Sequence, residues 1–231
     1  MREIGLILFG WLLGLLGPAL VEAIKQRRQV DRVFTALAQE LHQLRYRLTL
    51  ACQGVLAGLG KVDDGHLRWL QKQLAGYRGP HDKTTLTTYV EKLLALTTEE
   101  RRRFLETQRS QPHRTVRVQR YAVPLLDSRL ASLWTLDDRV QVRLLELRTN
   151  LDMLDREVDE ATYFFRLTYD DREHERMIIV NSSLDEASER WVDRAKQIAD
   201  KLEELEPLLQ RGRWFGFGPR RSASSTVTRA G

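Results

Sequence analysis

Five histidines and one cysteine are the side chains of this sequence best suited to acid–base, nucleophilic or metal chemistry. Such residues act in sets, because zinc needs three or four protein ligands and a nucleophile needs a neighbouring base. The run from Asp170 to Glu175 surrounds His174 with carboxylates, but no second histidine stands four residues away. Consecutive residues of a helix also point to different sides, so we interpret the run as a charged turn. No metal site is predicted.

The other candidates have structural interpretations. Asp63 or Asp64 precedes His66 as a helix-capping aspartate would. His42 borders an apolar stripe and is predicted to flank the core, while Cys52 is predicted to be a small core residue. A single cysteine also excludes an internal disulfide. These interpretations leave no candidate catalytic residue.

The common enzyme motifs are missing from the sequence. It contains no G-x-x-x-x-G-K-S/T phosphate loop, no H-E-x-x-H helix, no G-x-S-x-G elbow and no C-x-x-C pair. Gly54, Gly58 and Gly60 lie close together, but no strand precedes them, as a nucleotide-binding glycine loop requires. Function must be argued from a site, so we do not expect an enzyme or a cofactor.

Residues 4–24, IGLILFGWLLGLLGPALVEAI, form the one strongly apolar segment. Ile4 to Val21 carries no charge, and about 18 helical residues span roughly 27 Å of a bilayer core about 30 Å thick. A cleaved signal peptide is the alternative, since Pro18 interrupts the run and Val21-Glu22-Ala23 offers small residues for cleavage. The length of the run and the basic residues that follow it favour an uncleaved transmembrane helix.

Charges beside this segment predict its orientation. Arg2 and Glu3 cancel before it, whereas four basic residues follow it. Because positive residues stay on the cytoplasmic side, we expect a single-pass protein of a bacterial-type inner (plasma) membrane with its C-terminal domain in the cytoplasm. The four residues are Lys25, Arg27, Arg28 and Arg32.

Small residues share one face of the predicted span. Gly10, Gly14, Gly17 and Val21 follow spacings of four, three and four, and the first two form a G-x-x-x-G pair. Such a face lets two helices approach closely, which predicts a homo-oligomer. Glycine is also common in transmembrane helices that do not associate, and this alternative stays open.

The remainder is predicted to be all-α, with residues 25–210 forming a cytoplasmic antiparallel helical bundle of long, coiled-coil-like helices. Apolar residues alternate spacings of three and four along three stretches, and each stripe needs a partner to bury it. The predicted helices run from the membrane to Gly58 or Gly60, over 64–75, 86–96 and 99–108, from the end of the connector through the stripe of Val140 to Phe165, and from Ser182 or Ser183 to Gly212. Residues Thr135–Asp138 are a candidate cap for a new start within the long helix. Residues 110–123 are predicted to be an extended connector, and Met177–Val180 a turn or short strand.

Basic charge is concentrated in two places. Residues 101–120 hold seven arginines against one acid, and residues 211–231 hold five arginines and no acid. The second region is predicted to be a basic, aromatic segment with a disordered tail. Its composition suits anionic lipid, single-stranded nucleic acid, or a solvated tail whose aromatics cover the bundle. The predicted interface contacts are Lys25, Arg27, Arg28, Arg213, Trp214, Phe215, Phe217, Arg220 and Arg221.

These patterns predict a membrane-anchored helical protein that oligomerises or recruits a protein partner at the cytoplasmic membrane face, membrane perturbation being one form of that action. A membrane-tethered nucleic-acid-binding protein, using residues 101–120 and 211–221, is the alternative.

Overall fold

A computed structural model describes residues 2–79, 81–108, 118–129, 137–168 and 174–212. Side chains of residues 2–20, 23, 26, 27, 29, 30, 108, 174–176 and 210–212 lie outside this description. Every regular element in the described ranges is a helix. The helices are α1 (Arg2–Leu59), α2 (Asp64–Gly76), α3 (Thr84–Ala95), α4 (Thr98–Gln108), α5 (Pro124–Arg129), α6 (Asp138–Leu167) and α7 (His174–Gly212). The predicted all-α class and helical bundle are confirmed.

Helices α1 and α6 both pack on α7, and side chains from all three helices form one buried core. His42 of α1 contacts Glu206 and Cys52 contacts Val192, so α1 and α7 are antiparallel. Contacts from Arg143 to Glu204 and from Glu157 to Arg190 show that α6 and α7 are antiparallel as well. The predicted stripes supply the buried core, which includes Leu41, Leu48, Val55, Leu144, Leu151, Leu154, Trp191, Ile198 and Leu205.

A helical hairpin of α2 and α3 packs on the side of α1. Its own apolar cluster joins Leu67, Leu70 and Leu74 of α2 to Val90 and Leu93 of α3. Tyr46 of α1 belongs to the same cluster, so the first helix serves both cores.

Local signals in the sequence set most helix boundaries. The Asp63 carboxylate accepts a hydrogen bond from the His66 N–H at 2.6 Å, and Asp137 accepts one from the Arg139 N–H at 3.0 Å. Thr97 and Glu100 exchange backbone and side-chain hydrogen bonds as a capping box. Gly60 adopts φ 70° directly after α1, the left-handed conformation that glycine tolerates best.

The helix predictions were wrong at the start of α7. It begins at His174, eight or nine residues before the predicted serine caps, so no turn or strand lies at Met177–Val180. A four-residue apolar run does not distinguish a strand from a helix. Met177 and Val180 are half-buried and continue the spacing of the buried Leu184, so the amphipathic stripe extends the helix backwards.

Helix α5 is separate from α6, whereas the sequence predicts one long helix after the connector that Pro112 and Pro124 bracket. Proline fits the first position of a helix, and the carboxylate of Glu40 on α1 accepts the N–H groups of Leu125 and Leu126 at 3.0 Å each. The connector predicted at 110–123 lies outside the described residues up to 117, and 118–123 have no regular structure.

The helix α1 is unbroken from Arg2 to Leu59, which includes the apolar segment 4–24. Across the described residues we find no helix whose length and apolarity together would suit a membrane span.

Candidate functional site

A buried polar cluster, here called the polar junction, joins α1, α2 and α7. At its centre is Arg45, only 4% exposed although it is charged. Its Nε donates to Gln73 Oε1 at 2.7 Å, and its Nη1 donates to Glu206 Oε2 at 3.0 Å. A buried guanidinium needs such partners, because an unpaired charge would carry a large desolvation cost. Gly76 leaves room for this arrangement, since a Cβ there would overlap the guanidinium.

Gln73 extends the polar junction by contacting Asp200 in the middle of α7. Its amide Nε2 donates to Asp200 Oδ1 at 2.8 Å, and Trp69 Nε1 donates to the same oxygen at 3.0 Å. Lys72 pairs with Glu203 at 2.9 Å, and the hydrogen bond to that carboxylate raises the lysine pKa. The α2–α3 hairpin is therefore held against α7 by polar contacts as well as by apolar packing on α1.

His42 forms the outer edge of the polar junction. Its Nε2 accepts the N–H of Arg78 at 3.0 Å, so Nδ1 carries the proton and donates to Glu206 Oε1 at 2.8 Å. The ring stacks on Tyr77 with centroids 4.8 Å apart, and Tyr77 stacks on Tyr46 at 4.1 Å. The sequence placed His42 beside the core, and the half-buried ring agrees with that position.

The charged groups of the polar junction have partners within the fold. Both oxygens of Glu206 accept hydrogen bonds, from His42 and Arg45, and one oxygen of Asp200 accepts hydrogen bonds from Gln73 and Trp69. Within the described ranges there is no group of three or more histidine, cysteine, aspartate or glutamate side chains arranged to hold a metal. The arrangement fixes the register of α1 against α7.

Cys52 does not supply a nucleophile at neutral pH. Its side chain is fully buried in the main core, and burial raises the thiol pKa to about 12. Reactive cysteines instead have a lowered pKa and access to solvent. The predicted role as a small core residue is confirmed.

His66 is buried between α1 and α2. Nε2 lies 2.9 Å from Gln53 Oε1, to which it donates, and Nδ1 has no hydrogen-bond partner among the described residues. Burial lowers the pKa of the imidazole to about 4, with Lys196 contributing in the same direction. Sequence reasoning identified only the neighbouring cap, because the burial of His66 depends on tertiary packing.

We expect His66 to make folding sensitive to acid. Its pKa is near 6.5 in an unfolded chain and about 4 in the fold, so the unfolded state binds more protons between these values. Above pH 6.5 the ring is neutral in both states, and His66 does not lower the free energy of unfolding. As the pH falls towards 4, the free energy of unfolding decreases by roughly 3 kcal/mol. Urea unfolding at pH 7 and pH 4.5 measures this loss.

The control for this prediction is His66→Gln, which removes the titrating ring and keeps a polar side chain. The variant should lose much less stability between the two pH values than the unchanged protein. An equal loss in both proteins would assign the acid sensitivity to carboxylates instead.

The described part of the basic block 101–120 is largely paired with acids. Arg101 is buried, and its guanidinium pairs with Asp64 and donates to the Leu93 and Leu96 carbonyls. Arg102 and Arg103 are exposed and share Glu99. Arg120 pairs with Asp159 of α6. Residues 109–117, which hold the other three arginines, lie outside the described residues.

We call the end of the bundle where α7 stops, at Gly212, the proximal end. The N-terminal part of α1 projects from this end. His42 contacts Glu206, and α7 ends six residues later at Gly212, so the α1 residues before about 36 extend beyond α7. Val21, Ile24, Lys25 and Arg28 are exposed on this extension. The remaining predicted site residues have side chains outside the described set: Gly10, Gly14, Gly17, Arg27, Arg213, Trp214, Phe215, Phe217, Arg220 and Arg221.

Comparisons with known proteins add no family to this description. Searches of protein-family models, curated proteins and solved structures each found no match. The class that the fold defines is an all-helical bundle with a long first helix.

Proposed function

We propose that this chain is a single-pass, membrane-anchored helical protein that self-associates or recruits a protein partner at the cytoplasmic face of a bacterial-type inner membrane. One observation carries the proposal. The apolar segment 4–24 and the first bundle helix are parts of one unbroken helix, α1. A helix anchored in lipid at one end would therefore set the position of the whole bundle.

The anchor itself is inferred from the sequence. Ile4 to Val21 is uncharged and is followed by Lys25, Arg27 and Arg28, the order expected for an N-terminal span with a cytoplasmic domain. Exposure of Lys25 and Arg28 is compatible with contacts to anionic headgroups.

Association is proposed through the glycine face of the span. Close packing of Gly10 and Gly14 against a second copy would bring two bundles together at high local concentration. Since α1 also carries the bundle core, contact in the membrane and contact in the cytoplasm would reinforce each other.

Replacing both Gly10 and Gly14 by leucine should shift the detergent-solubilised protein to a smaller assembly. The bulkier side chains would separate the helices and remove the close backbone approach. Light scattering of the purified full chain measures the mass.

Ala19→Leu provides the matched control, because residue 19 lies on the opposite side of an ideal helix from Gly10 and Gly14. It should leave the mass unchanged. If the double leucine variant also keeps its mass, the glycine face does not mediate association.

The basic, aromatic segment is proposed to make a second lipid contact. Trp214, Phe215 and Phe217 suit the headgroup region, and Arg213, Arg220 and Arg221 suit anionic lipid. This segment follows α7 at the proximal end of the bundle, the end from which the N-terminal part of α1 extends.

A membrane-tethered nucleic-acid-binding protein is the second candidate. The exposed guanidinium groups of Arg102 and Arg103 favour it, although both share Glu99. Binding of this kind would weaken steeply with salt, and the absence of any RNA or DNA complex at low salt would remove the candidate.

A further inference from the structure

We propose that the outer face of α6 is a docking site for residues 213–221 of the same chain. Three apolar side chains on this face are accessible to solvent, with exposed fractions of 53% for Val142, 46% for Leu145 and 40% for Met153. Val142 and Leu145 lie opposite the buried stripe of Val140, Leu144 and Leu151, so they cannot reach the bundle core. Met153 lies at the edge of this face, where its sulfur accepts a hydrogen bond from Arg194 of α7 at 3.2 Å. Apolar side chains aligned on an exposed face are typical of an interaction surface.

Charge identifies the occupant of this face. Residues 137–210 contain 20 acidic and 11 basic residues, whereas residues 211–231 contain five arginines and no acid. Glu146 and Asp152 beside the apolar face, and Glu204 on the adjoining part of α7, are exposed acids of this hairpin. Arg143 neutralises part of this charge by contacting Glu146 and Glu204, and Arg148 contacts Asp152 at 2.8 Å. The remaining excess would attract the basic tail.

The tail begins within reach of the outer face. Arg143 of α6 lies 4.0 Å from Glu204, and eight further residues take α7 about 12 Å beyond that level, close to the start of α6. From Gly212, an extended chain reaches Phe217 in at most about 17 Å. Measured along the axis of α6, Val142 and Leu145 lie roughly 10 to 15 Å from the level of Gly212.

The order of residues in the tail matches the order of the surface. The aromatic residues come first, and Phe215 and Phe217, at about 10 and 17 Å from Gly212, extend to the levels of Val142 and Leu145. Arg220 and Arg221 follow, at a reach of about 30 Å, which extends to the level of Asp152.

This inference rests on the proposed lipid contact and adds a way to regulate it. The same aromatic residues cannot be buried on α6 and in a headgroup layer at once. Docking on α6 would hold the tail away from the membrane. The docked state needs no lipid, so it is tested in detergent solution and can fail independently of the membrane proposal.

Cysteine labelling measures the docked state in the full chain. Thr149→Cys places a thiol on the exposed face between Leu145 and Met153, while buried Cys52 stays unlabelled. We expect a maleimide to label position 149 at least fivefold more slowly than in a chain that also carries Trp214→Ser, Phe215→Ser and Phe217→Ser. The slower rate should not change with protein concentration, since the contact is within one chain.

Arg103→Cys on α4 is the control thiol, because Arg103 is exposed and distant in sequence from α6 and the tail. Its labelling rate should be the same with and without the aromatic residues. Equal rates at position 149 in the two backgrounds would overturn the proposal. A protection that grows with protein concentration would also overturn it, because it would assign the face to a second copy.

Discussion

Replacing Trp191 by alanine is expected to lower the free energy of unfolding by about 4 kcal/mol. The indole is completely buried in the core shared by α1, α6 and α7, and its ring lies 6.4 Å from that of Tyr121. Truncation would leave a cavity in this core, and closing it would require the helices around it to move. Urea unfolding of the detergent-solubilised full chain, followed by circular dichroism, measures the change.

Trp191→Phe separates the cavity from the loss of the indole N–H. That N–H has no hydrogen-bond acceptor among the described residues, so phenylalanine removes an unsatisfied buried donor while keeping most of the ring. We expect this variant to lose less than half as much stability as the alanine variant. Equal losses in the two variants would contradict the packing assigned to Trp191.

Replacing Glu206 by alanine is expected to cost about 3 kcal/mol, because it leaves the buried guanidinium of Arg45 without its carboxylate. His42 loses its acceptor in the same variant. The α2–α3 hairpin should loosen together with the contact between α1 and α7, which hydrogen exchange of the backbone amides of α2 would detect.

Glu204→Ala is the matched control for Glu206. Its side chain is 67% exposed, and its Arg143 partner lies at the 4.0 Å limit of an ion pair, so its loss should change stability by no more than about 0.5 kcal/mol. Similar losses in the two variants would mean that the polar junction contributes no more than an exposed ion pair.

Much of the bundle could be predicted from local sequence patterns. The stripe from Leu37 to Val55 and the stripe from Val140 to Ala161 are buried as their spacing predicts, because each residue of an amphipathic face depends on the same partner surface. Caps such as Asp63 were also predictable, since the residues that form them are neighbours in the sequence.

The polar junction could not be predicted in the same way. Arg45 and Glu206 are 161 residues apart, and each resembles an ordinary solvated residue on the flank of a helix. Only the fold places α2 against α7 and excludes water from the guanidinium. The start of α7 was missed for a related reason. Met177 and Val180 indicate a helix only when their spacing is joined to the stripe that continues from Leu184.

The membrane anchor is tested most directly by alkaline carbonate extraction of bacterial membranes that contain the full chain. The proposal predicts that the protein stays in the membrane pellet, as an integral membrane protein does. In a matched variant, Leu12→Arg with Leu16→Arg should release it, because each arginine near the middle of a span costs about 2.5 to 3.5 kcal/mol on insertion scales. Recovery of the unchanged chain in the carbonate supernatant would contradict the anchor.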